Sequence, residues 1–88
     1  MIVLYQYDDK HNIFKKLIEC DFDIITLSPV APTISINYDD IMGVDWRPCN
    51  VVYISFFNMC YKIIDAEIQP GLKIILSLEA DTHLKRPE

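Results

Sequence analysis

The chain has 88 residues, of which 51% are hydrophobic and 24% charged, and its formal net charge is −5. A chain of this length makes one domain with a thin margin of stability, and its composition excludes intrinsic disorder. The acidic balance excludes nonspecific binding to nucleic-acid phosphate and docking on anionic membrane, since both need cationic surface. The expected partner is a neutral or basic protein.

Ile2–Tyr7 is apolar on both faces and reads as a central strand. Asp8, Asp9 and Asn12 follow with turn and cap chemistry. Over Lys10–Glu19, at about 100° per residue, Ile13, Phe14, Leu17 and Ile18 fall in one arc and Asn12, Lys15, Lys16 and Glu19 in the opposite one. That pattern predicts an amphipathic helix. Phe22–Ser28 and Thr33–Tyr38 read as a strand pair joined through Pro29-Val30-Ala31-Pro32. In the latter strand Ile34, Ile36 and Tyr38 alternate with Thr33, Ser35 and Asn37, giving one buried and one wet face. Asp39–Asn50 is irregular and carries Gly43, Trp46, Arg47 and Pro48.

Val51–Ala66 is rich in β-branched and aromatic residues, which favour strand. Its polar residues Ser55, Asn58, Lys62 and Asp65 nevertheless recur at helical spacing, in a stripe about 80° wide. On that periodicity the segment is assigned to a second helix. Gln69-Pro70-Gly71 then turns the chain. Leu72–Glu79 is a final strand, with Leu72, Ile74, Leu76 and Leu78 inward and Lys73, Ser77 and Glu79 outward. Ala80–Glu88 is a polar tail.

The predicted order is β-α-β-β-α-β, the split βαβ or ferredoxin-like α+β arrangement, with two helices on one face of an antiparallel sheet and a single domain over residues 1–79. The open face would present Thr33, Ser35, Asn37, Lys73, Ser77 and Glu79. A thioredoxin-like sheet is the runner-up, but the CxxC expected at the first helix is missing.

The second predicted helix carries more apolar surface than a sheet can cover. Its apolar residues sweep roughly 220°, whereas a helix lying on a sheet needs a stripe of ~100°. Either the Trp46 loop folds back over the surplus, or a protein partner does. The predicted contact surface is Tyr53, Ile54, Phe57 and Tyr61 with Trp46 and Arg47, since aromatics and arginine are enriched at interface hot spots.

No nucleotide loop, hydrolase triad or RNA-stacking motif is present, and two glycines leave little backbone for a phosphate cradle. Cys20, Cys49 and Cys60 lack the spacing of a disulfide framework or zinc site, which fits a reducing compartment. Cys49 stands before the second predicted helix and near Arg47, a setting that lowers a thiol pKa, but no base accompanies it. His11 and His83 have no ligand spacing. No apolar run reaches the ~20 residues of a membrane span, and MIVLYQY lacks a charged n-region. A cytoplasmic location is expected.

Asp8 and Asp9 end the first strand, a place suited to a hard divalent cation. The opening MIVLYQYDD, with Lys10, Lys15 and Lys16 after it, resembles the start of the small CRISPR-associated ferredoxin-like nucleases. That resemblance covers about the first quarter of the chain. It implies a dimeric, metal-dependent nuclease using Asp8, against which the acidic composition stands.

The leading expectation is a binding protein without catalytic activity or cofactor. It would be a small acidic regulatory factor that engages and inhibits a protein, or pairs with itself as a homodimer, through the second helix and the Trp46 loop. The style of sequence suits a virus- or phage-encoded accessory protein. If the target binds nucleic acid, Asp39, Asp40 and Asp45 would compete for its basic groove. A metal-dependent nuclease and a homo-oligomeric structural subunit are the alternatives.

Overall fold

A computed structural model describes residues 1–84. It contains seven strands and one short helix: β1 Ile2–Asp8, β2 Ile13–Cys20, β3 Asp23–Thr26, β4 Thr33–Asn37, α1 Tyr38–Ile41, β5 Val51–Ile54, β6 Met59–Gln69 and β7 Lys73–Ala80. The strands form a single antiparallel sheet in the order β2-β1-β5-β6-β7-β4-β3. The ferredoxin-like α+β prediction is therefore corrected, because neither of its two helices exists.

Lys10–Glu19 forms a turn and β2, and Val51–Ala66 forms the hairpin of β5 with β6. Two four-residue turns replace helical continuity. Residues 9–12 join β1 to β2 and residues 55–58 join β5 to β6. Each ends in an asparagine with positive φ, +52° at Asn12 and +54° at Asn58. Asparagine tolerates this left-handed conformation better than other side chains, apart from glycine. Tyr7 Oη donates to Asn12 Oδ1 at 3.0 Å and Tyr53 Oη to Asn58 Oδ1 at 2.6 Å, so a strand tyrosine braces each turn. The β6–β7 turn uses Gly71 and Leu72, both with positive φ.

β2 and β3 are opposite edges of the sheet, yet only Asp21 and Phe22 connect them. Three Cα–Cα steps span at most about 11 Å. The sheet must therefore curl until the end of β2 comes near the start of β3. Register shifts within β2, β3 and β6, at Leu17, Ile25 and Ile64, supply bends of the kind that tighten such a curl.

The concave face holds the main core, in which Ile2, Leu4, Ile34, Ile36, Val52, Ile54, Tyr61, Ile74, Leu76 and Leu78 are buried. Ile41 of α1, with Trp46 and Cys49 of the loop after it, packs into the same cluster. The loop thus helps to cover the core of the sheet, whereas the second helix whose surplus apolar face it was expected to cover does not exist. A smaller cluster on the convex face gathers Val51, Tyr53 and Cys60 under Val3, Tyr5, Tyr7, Phe14 and Leu84. Elsewhere the convex face pairs polar residues across strands, Thr33 with Ser77, Asn37 with Lys73 and Lys62 with Glu79. The predicted tail beyond residue 84 lies outside the described residues. Its first part is held, since Asp81 N–H donates to the Cys60 carbonyl and Leu84 sits on the outer cluster.

Candidate functional site

The predicted contact residues divide sharply. Ile54 and Tyr61 are fully buried on the concave face, and Tyr53 is buried on the convex one. None of the three can meet a partner in the folded chain. The surplus of apolar surface vanishes with the helix, because a strand sends alternate side chains to opposite faces and both faces here carry a core. Phe57 is half-buried against the main core, stacked edge-on with Phe56 and Tyr61. Phe56, at the turn, is 74% exposed.

Trp46 and Arg47 come together with residues the sequence did not single out. α1 starts at Tyr38, whose N–H donates to the Leu72 carbonyl at 2.7 Å and ties the helix to the β6–β7 turn. Gly43, at φ +92°, redirects the chain, and Val44 N–H donates to the Ile41 carbonyl. Cys49 N–H donates to the Trp46 carbonyl at 2.9 Å and closes the loop. The result is an open groove of about 400 Å³ lined by Tyr38, Val44, Asp45, Trp46, Arg47 and Ile68. Behind Trp46 lies a cavity of about 80 Å³ walled by core residues such as Leu4, Ile36, Ile41 and Ile74. Trp46 and Arg47 line both.

Ile68, which lines this groove, is more than half exposed, as are Met42 in the same loop and Leu72, whose carbonyl accepts from the Tyr38 N–H. Asp39 and Asp40 occupy the exposed first turn of α1. Asp45 is bound to its neighbour. Arg47 Nε donates to Asp45 Oδ1 at 2.9 Å, and the Arg47 N–H donates to the same oxygen at 3.3 Å. This ion pair lowers the Asp45 carboxyl pKa and raises that of Arg47. The two charges cancel locally, and Asp39 and Asp40 lie outside the groove's lining, next in sequence to Tyr38.

Met42 and Ile68 carried no signal in the sequence, and Leu72, expected to face inward on the last strand, sits instead at the β6–β7 turn, exposed and with positive φ. Ile68 reaches the concave side, opposite Ile74, only because the bulge at Ile64 shifts the alternation of β6 by one residue.

Cys49 does not have the activated thiol its neighbourhood in sequence suggested. No helix follows it, and burial pushes its pKa up to about 11. Burial likewise pushes Cys20 up to about 11. Asp8 serves its turn, accepting from the Lys10 N–H at 3.0 Å and lying 2.7 Å from His11 Nδ1, and the latter contact lowers its pKa. Among the described residues no group of three or more His, Cys, Asp or Glu side chains is placed to hold a metal ion.

A second groove, of about 520 Å³, lies on the convex face beside Tyr7, Asp9, Asn50, Lys62, Asp81 and Leu84. Many of its polar groups serve the fold. Asn50 Nδ2 donates to the Tyr7 carbonyl while its Oδ1 accepts from the Tyr7 N–H. Lys62 Nζ is 3.5 Å from Asp81 Oδ2, and the Asp81 side chain is only 10% exposed. These contacts anchor the C-terminal segment.

Comparison with known proteins adds no relative: no protein-family model matches the chain, and neither a curated protein nor a solved structure is significantly similar to it. Among the described residues no helix is long and apolar enough to cross a membrane.

Proposed function

We propose that this chain is a small regulatory protein of the cytoplasm that binds another protein through the Trp46 groove. One observation carries the reading. Ile68 stands exposed in a groove that it lines together with Tyr38, Val44 and Trp46, and Met42 of the same loop and Leu72, bonded to Tyr38 through its carbonyl, are exposed as well. Exposed apolar residues are unremarkable when scattered, but gathered around a concavity beside charged groups they have the anatomy of an interface core and rim. Asp39 and Asp40, next in sequence to Tyr38, add negative charge, which favours a partner with basic residues next to an apolar protrusion. If the partner binds nucleic acid, these two carboxylates are the groups that compete for its basic surface. Asp45, already paired with Arg47, contributes little to that competition.

Photo-crosslinking from positions 42 and 68 tests the reading, with position 64 as the control. Ile64 is also exposed but falls at the β6 register shift, away from the groove. A protein that crosslinks from 42 and 68 and not from 64 should titrate the purified chain at 1:1. Its affinity should fall at least tenfold with Ile68→Asp. Crosslinks that do not distinguish the three positions, or binding unchanged by Ile68→Asp, would refute the proposal.

A further inference from the structure

We infer that the chain pairs with a second copy of itself, edge to edge along β3, in an antiparallel two-fold dimer that joins the two sheets. This proposal is independent of the Trp46 groove and uses a different surface.

The two edges of the sheet differ in how they are protected. β2 carries Lys15 and Lys16 at its centre, and charged side chains of this kind discourage pairing with another chain. β3 has no lysine and no proline, and all four of its residues are exposed. Its inner edge pairs with β4. Its outer edge forms no ladder and no backbone hydrogen bond among the described residues. Ile25 is 56% exposed, Leu27 71% and Val30 64%. β3 is short and carries a bulge and one carboxylate, Asp23, but its apolar side chains stand exposed along a free main-chain edge, which is a template for another strand.

The choice of partner follows from the order of residues. Phe22-Asp23-Ile24-Ile25-Thr26-Leu27 reads apolar, polar, apolar, apolar, polar, apolar, a pattern that is the same in both directions. Antiparallel pairing about its midpoint sets each Phe22 against Leu27 of the second copy, each Asp23 against Thr26, and Ile24 against Ile25. Like meets like at every position.

Such pairing needs opposed residues to lie on the same face, and a regular strand would put Asp23 and Thr26 on opposite faces. The register shift at Ile25 corrects this. Asp23 pairs with Ser35 and Thr26 with Thr33, two residues apart on β4, so Asp23 and Thr26 share the convex face. The bulge that looks like a defect within one chain makes the strand self-complementary between two.

Charge and area agree. The two Asp23 carboxylates would lie diagonally across the seam, two strand positions apart because of the bulge, roughly 8 Å, which is about a Debye length at physiological salt. The exposed apolar area of Ile24, Ile25, Leu27 and Val30 is on the order of 300–400 Å² per copy, as large as the main patch on many monomers. Two such patches with the paired main chain approach the ~1,000 Å² that marks a specific contact. A dimer that forms and separates with concentration, in the micromolar range, is expected.

Sedimentation velocity on the full chain under reducing conditions, over a concentration series from micromolar to millimolar, is the test. The wild type should pass from monomer to dimer. Ile25→Lys, which sets two ammonium groups at the two-fold axis, should shift the midpoint at least tenfold upward. Ile64→Lys, an equally exposed site away from β3, should leave it unchanged, and circular dichroism should report the same fold for all three. A wild type that stays monomeric throughout would overturn the proposal and leave the edge to a strand of a different protein or to none. A dimer insensitive to Ile25→Lys would overturn it as well, and sensitivity to Ile68→Asp instead would place self-association at the Trp46 groove.

Discussion

Tyr61 and Phe56 make the sharpest test of the fold, because a helical Val51–Ala66 would count both among the apolar residues of a single surface. In the curled sheet they part company. Tyr61 is 0% exposed and its hydroxyl donates to the Pro29 carbonyl at 2.7 Å, while Phe56 is 74% exposed. Truncating a buried aromatic side chain costs about 3–5 kcal/mol. Tyr61→Ala should fall in that range, a large part of the ~5–15 kcal/mol that holds a domain together. Tyr61→Phe keeps the ring and removes only the hydrogen bond. Pro29 lies at an exposed loop, where water can replace the donor, so the cost should be about 1 kcal/mol. In a domain of this size that is a fall in Tm of roughly 4–8 °C. Phe56→Ala should change stability by less than about 0.5 kcal/mol, as surface substitutions do. Urea denaturation of the three variants gives these values directly. Equal losses at 61 and 56, or no loss with Tyr61→Ala, would refute the buried β6 position and the sheet with it.

Further outcomes follow from the turns, the thiols and the surface ion pair. Asn58→Ala should destabilise by about 1–2 kcal/mol, since alanine resists the left-handed conformation, and Asn58→Gly should recover most of that loss in the same urea titration. Cys20 and Cys49 should react with a thiol reagent at pH 8 far more slowly than in the unfolded chain. Their pKa values rise from 9.0 to about 11 on folding. The protonated thiols therefore favour the fold fully below pH 9, and that stability is lost as pH climbs from 9 to 11. A urea midpoint that falls over this window, and falls less in a Cys20→Ala, Cys49→Ala double variant, is the expected result. Arg47→Ala should leave Tm unchanged within error, because its ion pair with Asp45 is open to solvent on both sides.

Ile2–Tyr7, Phe22–Ser28, Thr33–Tyr38 and Leu72–Glu79 were legible as strands, whereas β2, β5 and β6 were hidden under an apparent helical period. Thr33–Asn37 and Lys73–Ala80 alternate cleanly and form ladders with each other. In β2 and β6 one extra residue breaks the period of two. On β6, Lys62 and Asp65 share the convex face three residues apart because Ile64 is the bulge between them. Ser55 and Asn58, which completed the apparent helical stripe, belong to a turn. On β2 the bulge at Leu17 similarly disguises alternation as the arc of Ile13, Phe14, Leu17 and Ile18. The β-branched and aromatic composition of Val51–Ala66 pointed to strand, and so did an asparagine at the end of each four-residue turn. Both signals were outweighed by a false period. At the site, Trp46 and Arg47 were legible as residue types suited to an interface. Tyr53, Ile54 and Tyr61 were equally suited by type, but their burial depends on pairings between distant strands that no local pattern records.

The two-residue link between the outermost strands divides the molecule in an unusual way. The N-terminal hairpin, β1 with β2, joins the remaining five strands through the ladder of Ile2–Tyr5 with Val51–Ile54, and its chain connection is that link alone. A single break between Asp21 and Phe22 would leave two pieces, each with a complete set of its own ladders and one matching raw edge. The chain is thus already laid out as a split protein, whose halves have the register to find each other again.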